Sequence, residues 1–440
     1  MKSTNNYLNG LEQICTKNDF IERRLYEEYD INQGLRDEKG NGVLTGLTNI
    51  SLIKSFEVKN GSKQPCDGEL WYRGYRVEDL ISRLGEDEMG YEKIAYLLLM
   101  GELPSKEQYD EFRSVIGTFM ALPTNFTRDV IMKAPTDDIM NTMTRSILTL
   151  ASYDDELKNT SLENNIRQCL QLISQFPTLA VYSYNAYNHY QNLESMFIHY
   201  PDPLLSPAEN ILTMLRPDKK YTKTEAKVLD TALILHMEHG GGNNSTFTTR
   251  VVTSSGSDTY STIAAAMCSL KGPKHGGANI KVMDMMADIS AHIKDVEDDE
   301  ELVRYFNKIL DKETFDRKGL IYGMGHAVYT LSDPRERVLK SYVKELAAEK
   351  GRMEEFRLYE QTERLAPQVI TDRKHNRTGV CPNVDFYSGF VYDMLGIPKE
   401  LYTAIFAVAR IVGWSAHRIE EIVCTDKIIR PAYMSVMKKK

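Results

Sequence analysis

Three of the nine histidines in this chain sit against glycine: His239 before Gly240, Gly241 and Gly242, His275 before Gly276 and Gly277, and His326 after Gly325. Glycine allows sharp turns at element ends and lets a small molecule approach the backbone closely. An imidazole held there is placed to exchange protons with a bound ligand. One histidine so placed is ordinarily a structural imidazole. Three of them, joined by an aspartate in Pro382-Asn383-Val384-Asp385-Phe386-Tyr387-Ser388-Gly389, point to an acid–base set. His236 and His239, with Glu238 between them, would share one helical face and could grip a metal. No third ligand accompanies them in the pattern, so no metal site is expected.

Other chemistries lack their motifs. There is no phosphate loop ending in Gly-Lys-Ser/Thr and no dinucleotide glycine fingerprint after a strand. Gly40-Asn41-Gly42 with Gly46 is a near miss, better explained as turns. A formal net charge of −8 argues against a nucleic-acid partner, which needs a basic face. Lys438 to Lys440 read as a solvated tail. The six cysteines are scattered with no two-residue spacing, which fits a reducing cytoplasm rather than a disulfide framework. The first ten residues, MKSTNNYLNG, carry no secretory or transit pattern, and the apolar runs are too short to span a bilayer. A cytoplasmic protein without a membrane partner is expected.

The elements that must position these residues are mostly helices. Tyr91 to Met100, Lys106 to Leu122, Asp137 to Tyr153 and Leu162 to Tyr187 carry apolar residues at three- and four-residue spacing, punctuated by Pro104, Pro123, Pro135 and Pro201 to Pro207. Thr224 to His239 reads as a helix stopped by the glycine triplet. Ile280, Val282, Met283 and Met286 suggest another after Pro273. Asp333-Pro334 opens a further one, with Asp as N-cap and Pro in the first turn. A stripe from Tyr402 through Ile405, Ala409 and Val412 to Ile419 marks a long helix packed on the core. The acidic run Asp295 to Glu301 reads as a loop or helix start. Residues 1 to about 42 are charged and helix-forming, and 43–58 suggest a short strand or hairpin. A mainly α protein follows, without the strand–helix alternation of a doubly wound sheet.

GPKHGGAN around His275, GMGHAVY around His326 and NVDFYSG around Asp385 together resemble the citrate synthase family, in the family's order. Gly68-Glu69-Leu70-Trp71-Tyr72-Arg73-Gly74-Tyr75 is similar to another of its stretches, so the resemblance runs from about residue 45 to the C-terminus. It implies that His275 stabilises the enol of an acyl-CoA, that His326 polarises the keto group of oxaloacetate, and that Asp385 removes the methyl proton. It also implies that His239, Arg335 and Arg410 hold the oxaloacetate carboxylates, and that Arg430 is lent across a homodimer interface.

The physical chemistry is consistent with these roles. A carbon acid beside a thioester is too weak for a carboxylate alone, so a donor to the carbonyl oxygen is needed as charge develops. A helix starting just after His275 would keep that imidazole neutral through its dipole. His239, at the far end of its own helix, would be favoured as a cation. Guanidinium forks suit a dicarboxylate. Arg410, among Phe406, Ala407, Val408, Ile411 and Val412, needs an anionic partner if buried, whereas Arg335 could equally be a surface residue.

The chain departs from the family pattern in three places. Glu238-His239-Gly240 stands where many relatives have Asp-His-Glu. Thr330 stands where many carry a basic residue that touches the CoA phosphates. Ala432 replaces a second arginine. Lys274, or Lys374 and Arg377 within the basic run Arg373 to Arg377, are the expected substitutes at the CoA phosphates. The implied fold is a large helical domain (1–279 and 389–440, with an N-terminal extension to about 42) and a smaller one (280–388), with the site in the cleft between them. The implied reaction joins acetyl-CoA to oxaloacetate and needs no metal or redox cofactor. A 2-methylcitrate synthase using propionyl-CoA, or a non-catalytic dicarboxylate or CoA sensor, are the alternatives.

Overall fold

The computed structural model describes every residue except 1, 38–41, 60, 86–87, 326–327, 375–378 and 438–440. The chain divides into two units, Met1–Leu47 and Thr48–Lys440. The first carries α1 (Lys2–Asn18) and the short α2 (Arg24–Glu28). Tyr7, Leu8, Leu11 and Ile14 along α1 are exposed.

The second unit opens on a three-stranded antiparallel sheet of β1 (Ser51–Lys59), β2 (Ser62–Tyr72) and β3 (Tyr75–Arg76). Tyr72 pairs with Tyr75 across a two-residue turn in which Arg73 and Gly74 both have positive φ, 48° and 87°. That is the turn whose twist suits a hairpin. The short strand or hairpin expected over 43–58 corresponds to β1, and its partner β2 was not anticipated. Pro65 and Gly68 are types that a strand interior seldom carries, yet at Pro65 the strand pairs only with β1, and an edge tolerates a proline.

Helices follow in close succession: α3 (Val77–Ser82), α4 (Tyr91–Met100), α5 (Lys106–Phe119), α6 (Phe126–Asp129), α7 (Ile139–Leu150), α8 (Leu162–Gln191), α9 (Pro207–Leu215) and α10 (Lys223–His236). Ser105, Ser206 and Thr222 form capping boxes with Gln108, Glu209 and Glu225, which satisfy N–H groups left open at the helix starts. Next come α11 (Asn244–Ser254), α12 (Thr259–Leu270), α13 (Ala278–His292) and α14 (Asp299–Leu310), the last N-capped by Asp298 from the acidic run. The chain ends with α15 (Pro334–Glu349), α16 (Met353–Lys374), α17 (Asp385–Met394) and α18 (Tyr402–Cys424).

The mainly α reading holds. α18 is the central pillar, packed on α8, α11, α4 and α10. Its stripe is core as expected, with Tyr402, Ile405, Ala409, Val412 and Ala416 fully buried beside Trp414. Each such large apolar side chain contributes about 1.5–3 kcal/mol by leaving water. One boundary differs: α10 ends at His236, three residues short of the glycine triplet. The Tyr72 hydroxyl, near both the Ile234 and Glu238 carbonyls at 3.1 and 3.0 Å, serves the acceptors left at this end. His239 therefore lies in a connection rather than in the last helical turn.

Candidate active site

Four connections and one helix face bring the candidate residues together. The first is the loop 237–243 between α10 and α11. The second is Lys271 to Gly277 between α12 and α13. The third and fourth, 320–333 before α15 and 379–384 before α17, are tied to each other. Gly325 N–H donates to the Cys381 carbonyl at 2.7 Å, Asn383 N–H to the Gly323 carbonyl at 2.9 Å, and the Asn383 amide to the Gly325 carbonyl at 2.8 Å. Gly323 is needed for this approach. It has φ of 79°, and a Cβ there would lie 2.8 Å from Phe386 and 2.9 Å from Val282. The helix face is that of α18 carrying Arg410.

His275 sits in the second connection, its backbone N–H bonded to the Gly272 carbonyl at 2.8 Å. Its Nε2 accepts from the Ser245 backbone N–H at 3.3 Å and lies 2.9 Å from the Ser245 hydroxyl. A backbone N–H can only donate, so Nε2 is the acceptor and the ring hydrogen belongs on Nδ1. Burial, aided by the nearby Arg410 cation, lowers the imidazole pKa to about 4. The neutral state expected from sequence is found, but its main cause is burial rather than the helix dipole. α13 begins three residues on, at Ala278.

Asp385 is the first residue of α17, where the free N–H groups favour a carboxylate. Burial nevertheless pushes its pKa up, with Asp333 adding to the rise, and Arg335 and Arg410 pull it back to about 6. Both arginines are buried, at 4% and 2% exposure. Arg335 is thus no surface residue: its Nε and Nη2 donate to Asp333 at 3.0 and 2.7 Å. Asp333 is also the expected N-cap of α15, accepting from Arg335 N–H. Arg410 donates Nε–H to the His236 carbonyl at 2.7 Å and stacks 4.7 Å from the Phe406 ring. Burial lowers its pKa to about 10 against the opposing pull of Glu238.

Tyr329 links the groups assigned to the keto acid. Its buried ring lies 5.5 Å from that of His239 and 5.8 Å from the Arg335 guanidinium. His236 serves its own helix rather than the site. Its Nδ1 bonds the Ala232 carbonyl at 2.7 Å, and burial lowers its pKa to about 3. Among the described residues no group of three ligand side chains could hold a metal.

His275, Asp385, Arg335 and Arg410 therefore share one electrostatic neighbourhood, with His239 joined through Tyr329. His326 lies outside the described residues, next to Gly325 of the tied connections. Arg430 is not in this cluster. It is exposed on the segment after α18, where Ile429 N–H bonds Ser254 Oγ at 3.0 Å. Lys274 is exposed beside His275. The Lys374 side chain and Arg377 lie outside the described residues, and Arg373 is paired with Asp311. Sequence reasoning missed Ser245, Asp333 as a partner of Arg335, and Tyr329. The one available signal for Ser245 was Asn243, a natural N-cap two residues before it.

Comparison with known proteins fits this arrangement. Residues 39–432 match the family described as "Citrate synthase, C-terminal domain". The chain is 30% identical over 406 residues to 2-methylcitrate synthase 2 of Corynebacterium glutamicum, covering 91% of this chain and 94% of that protein. It is 32% identical over 392 residues to citrate synthase of Synechocystis sp., covering 89% and 90%. The structure of citrate synthase from Pyrobaculum aerophilum matches with a TM-score of 0.74 and 27% identity over 92% of this chain and 95% of that one. The ternary complex of carboxymethyl coenzyme A and oxaloacetate with Thermoplasma acidophilum citrate synthase matches at 0.73 and 26% identity, covering 90% and 96%.

Proposed function

The chain belongs to the citrate synthase family, and on that footing we propose that it condenses acetyl-CoA with oxaloacetate and hydrolyses the citryl thioester to citrate and CoA. The carrying observation is that Asp385, a base whose ionisation burial and two arginines set near 6, and His275, a neutral imidazole whose hydrogen is on Nδ1, both lie in the field of the buried Arg410. Asp385 takes a proton from the acyl methyl group as Nδ1–H of His275 donates to the thioester oxygen, giving the enol. The enol carbon attacks the keto carbon of oxaloacetate, and the enol proton returns to His275 Nδ1 as the thioester carbonyl re-forms. In the role implied by GMGHAVY, His326 donates to the keto oxygen as it becomes a hydroxyl. Water then cleaves the citryl thioester, releasing the thiol. Arg410, Arg335 and His239 bind the two carboxylates, and two buried guanidinium groups in one neighbourhood support a dianionic ligand.

The chain works as a two-fold dimer in which Arg430 reaches the partner's site. The exposure of Arg430 and of Tyr433, Met434 and Met437 beside it supports a covering partner. The 280–388 segment, which carries Asp385 and Arg335, closes on the remainder when the keto acid binds. Lys274 takes a CoA phosphate with Lys374 and Arg377. The setting is the cytoplasm, which the six free cysteines support. Among the described residues no helix is long and apolar enough to cross a membrane.

Likeness to a 2-methylcitrate synthase gives propionyl-CoA standing as a second substrate. One methylene changes binding by only ~1–3 kcal/mol. Thiol release with oxaloacetate plus acetyl-CoA, repeated with propionyl-CoA, tests the reading. Release with acetyl-CoA at the higher kcat/KM is expected, and a clear preference for propionyl-CoA would reassign the substrate.

A further inference from the structure

Glu238, the residue before His239, has a fully buried carboxylate. Its Oε1 accepts from the Ser51 hydroxyl at 2.8 Å and lies 3.0 Å from His417 Nε2. The other ring nitrogen of His417, Nδ1, is 2.7 Å from Nη2 of Arg250. A guanidinium only donates, so Nδ1 is the acceptor and His417 gives its single ring hydrogen to Glu238. The tautomer is set from outside the site. Arg250 is held in turn by Glu420 and by Glu421, the latter at 2.9 Å, and Glu420 accepts the backbone N–H of Asn49 at 2.7 Å.

The glycines fit this chain of contacts. A Cβ on Gly241 would stand 3.3 Å from the His417 ring and 3.4 Å from Arg250 Nε, so the loop after His239 rests on the pair. A Cβ on Gly413 would stand 2.4 Å from the Met237 carbonyl and 2.5 Å from Glu238 Oε2. Burial alone would push the Glu238 carboxyl up. Hydrogen bonds from His417 and Ser51, with the Arg410 cation, oppose it and hold the carboxyl below its ordinary range. A buried carboxylate so close to Arg410 would, if free to turn, satisfy itself on that guanidinium and occupy the fork that a substrate carboxylate needs.

We propose that His417, oriented by Arg250, is a positioning residue for the keto-acid end of the site. It pins the Glu238 carboxylate, which leaves Arg410 charged but available and fixes the backbone leading into His239. This inference rests on the condensing reading above.

The test compares His417→Leu with His417→Gln, whose amide offers an acceptor and a donor on one planar group. Oxaloacetate binding is read by calorimetry and turnover by thiol release. His417→Leu is expected to weaken oxaloacetate binding and raise its KM by roughly tenfold or more, with kcat and the acetyl-CoA KM within about twofold. His417→Gln should restore most of the affinity. Should the leucine variant not fold, Ser51→Ala, which removes one bond to Glu238 from the strand side, should raise the oxaloacetate KM by a smaller factor. Unchanged oxaloacetate affinity in folded His417→Leu, or a glutamine variant as impaired as leucine, overturns the assignment. A wild-type chain that neither binds oxaloacetate nor releases thiol overturns the condensing reading beneath it instead.

Discussion

A carboxylate that takes a proton from carbon works only while ionised, and Asp385 is poised between two opposing pressures. Burial raises it, the paired arginines restrain it, and the result is about 6. The acid limb of kcat/KM should therefore fall near pH 6. His275, neutral above about 4, does not set that limb. A limb below pH 5 in the pH–rate profile would mean that the arginines outweigh burial. The same shift has a sign for stability. Because folding raises the Asp385 pKa above its ordinary 3.8, the ionised group opposes folding once pH exceeds the folded value, and the penalty is absent below the unfolded one. Asp385→Asn should thus stabilise the protein by roughly 1–3 kcal/mol above pH 6 and by little below pH 4, read by chemical denaturation. Asp385 and His275 were legible in sequence because glycine-flanked motifs surround them. Ser245 and His417 were not. Their roles depend on which ring nitrogen faces which donor, and that is decided by partners 30 and 179 residues apart in the chain.

At the scale of elements, the helices that periodicity marked are present, and the errors fall where tertiary partners take over. α4 matches its expected span, and Asp333 caps α15 as read. α10 stops early because side chains from the sheet and from α18 serve its end and fix the residues that follow. β2 was hidden by Pro65 and Gly68, residues that a strand interior rarely carries. Gly68 is present because a Cβ there would lie 2.2 Å from the Ser332 carbonyl and 2.6 Å from Tyr329. The contact between α18 and residues 237–238 depends on Gly413 in the same way. Gly413→Ala should lower stability by ~1–3 kcal/mol and raise the oxaloacetate KM, since the carbonyl it would strike belongs to the connection carrying His239. Thermal unfolding and steady-state kinetics check both halves, and an alanine variant with native stability would show that the approach relaxes freely.

At the scale of the whole molecule, the proposed dimer would add to the single-chain cluster an arginine lent by the partner subunit. If Arg430 acts in trans, Asp385→Asn and Arg430→Ala chains are each inactive alone but complement when mixed. Each mixed dimer then holds one complete site, so statistical reassortment should restore about a quarter of wild-type activity. No recovery after subunit exchange would place Arg430 in its own chain's site or outside any site. The two-domain division and its closure were read from resemblance. Helix periodicity carries no information about how helices group into bodies, which is why that level was the least legible from residues alone. In the proposed condensing site Asp385 is the base, and Arg410, Arg335 and His239 make the oxaloacetate end. Single-turnover citrate formation from acetyl-CoA and oxaloacetate, measured for wild type and Asp385→Asn alongside calorimetric oxaloacetate binding, tests it most directly. Citrate is expected from the wild type, and from the variant an intact oxaloacetate affinity with a citrate rate lower by about 10²–10⁴-fold. An asparagine variant that forms citrate at close to the wild-type rate would contradict it.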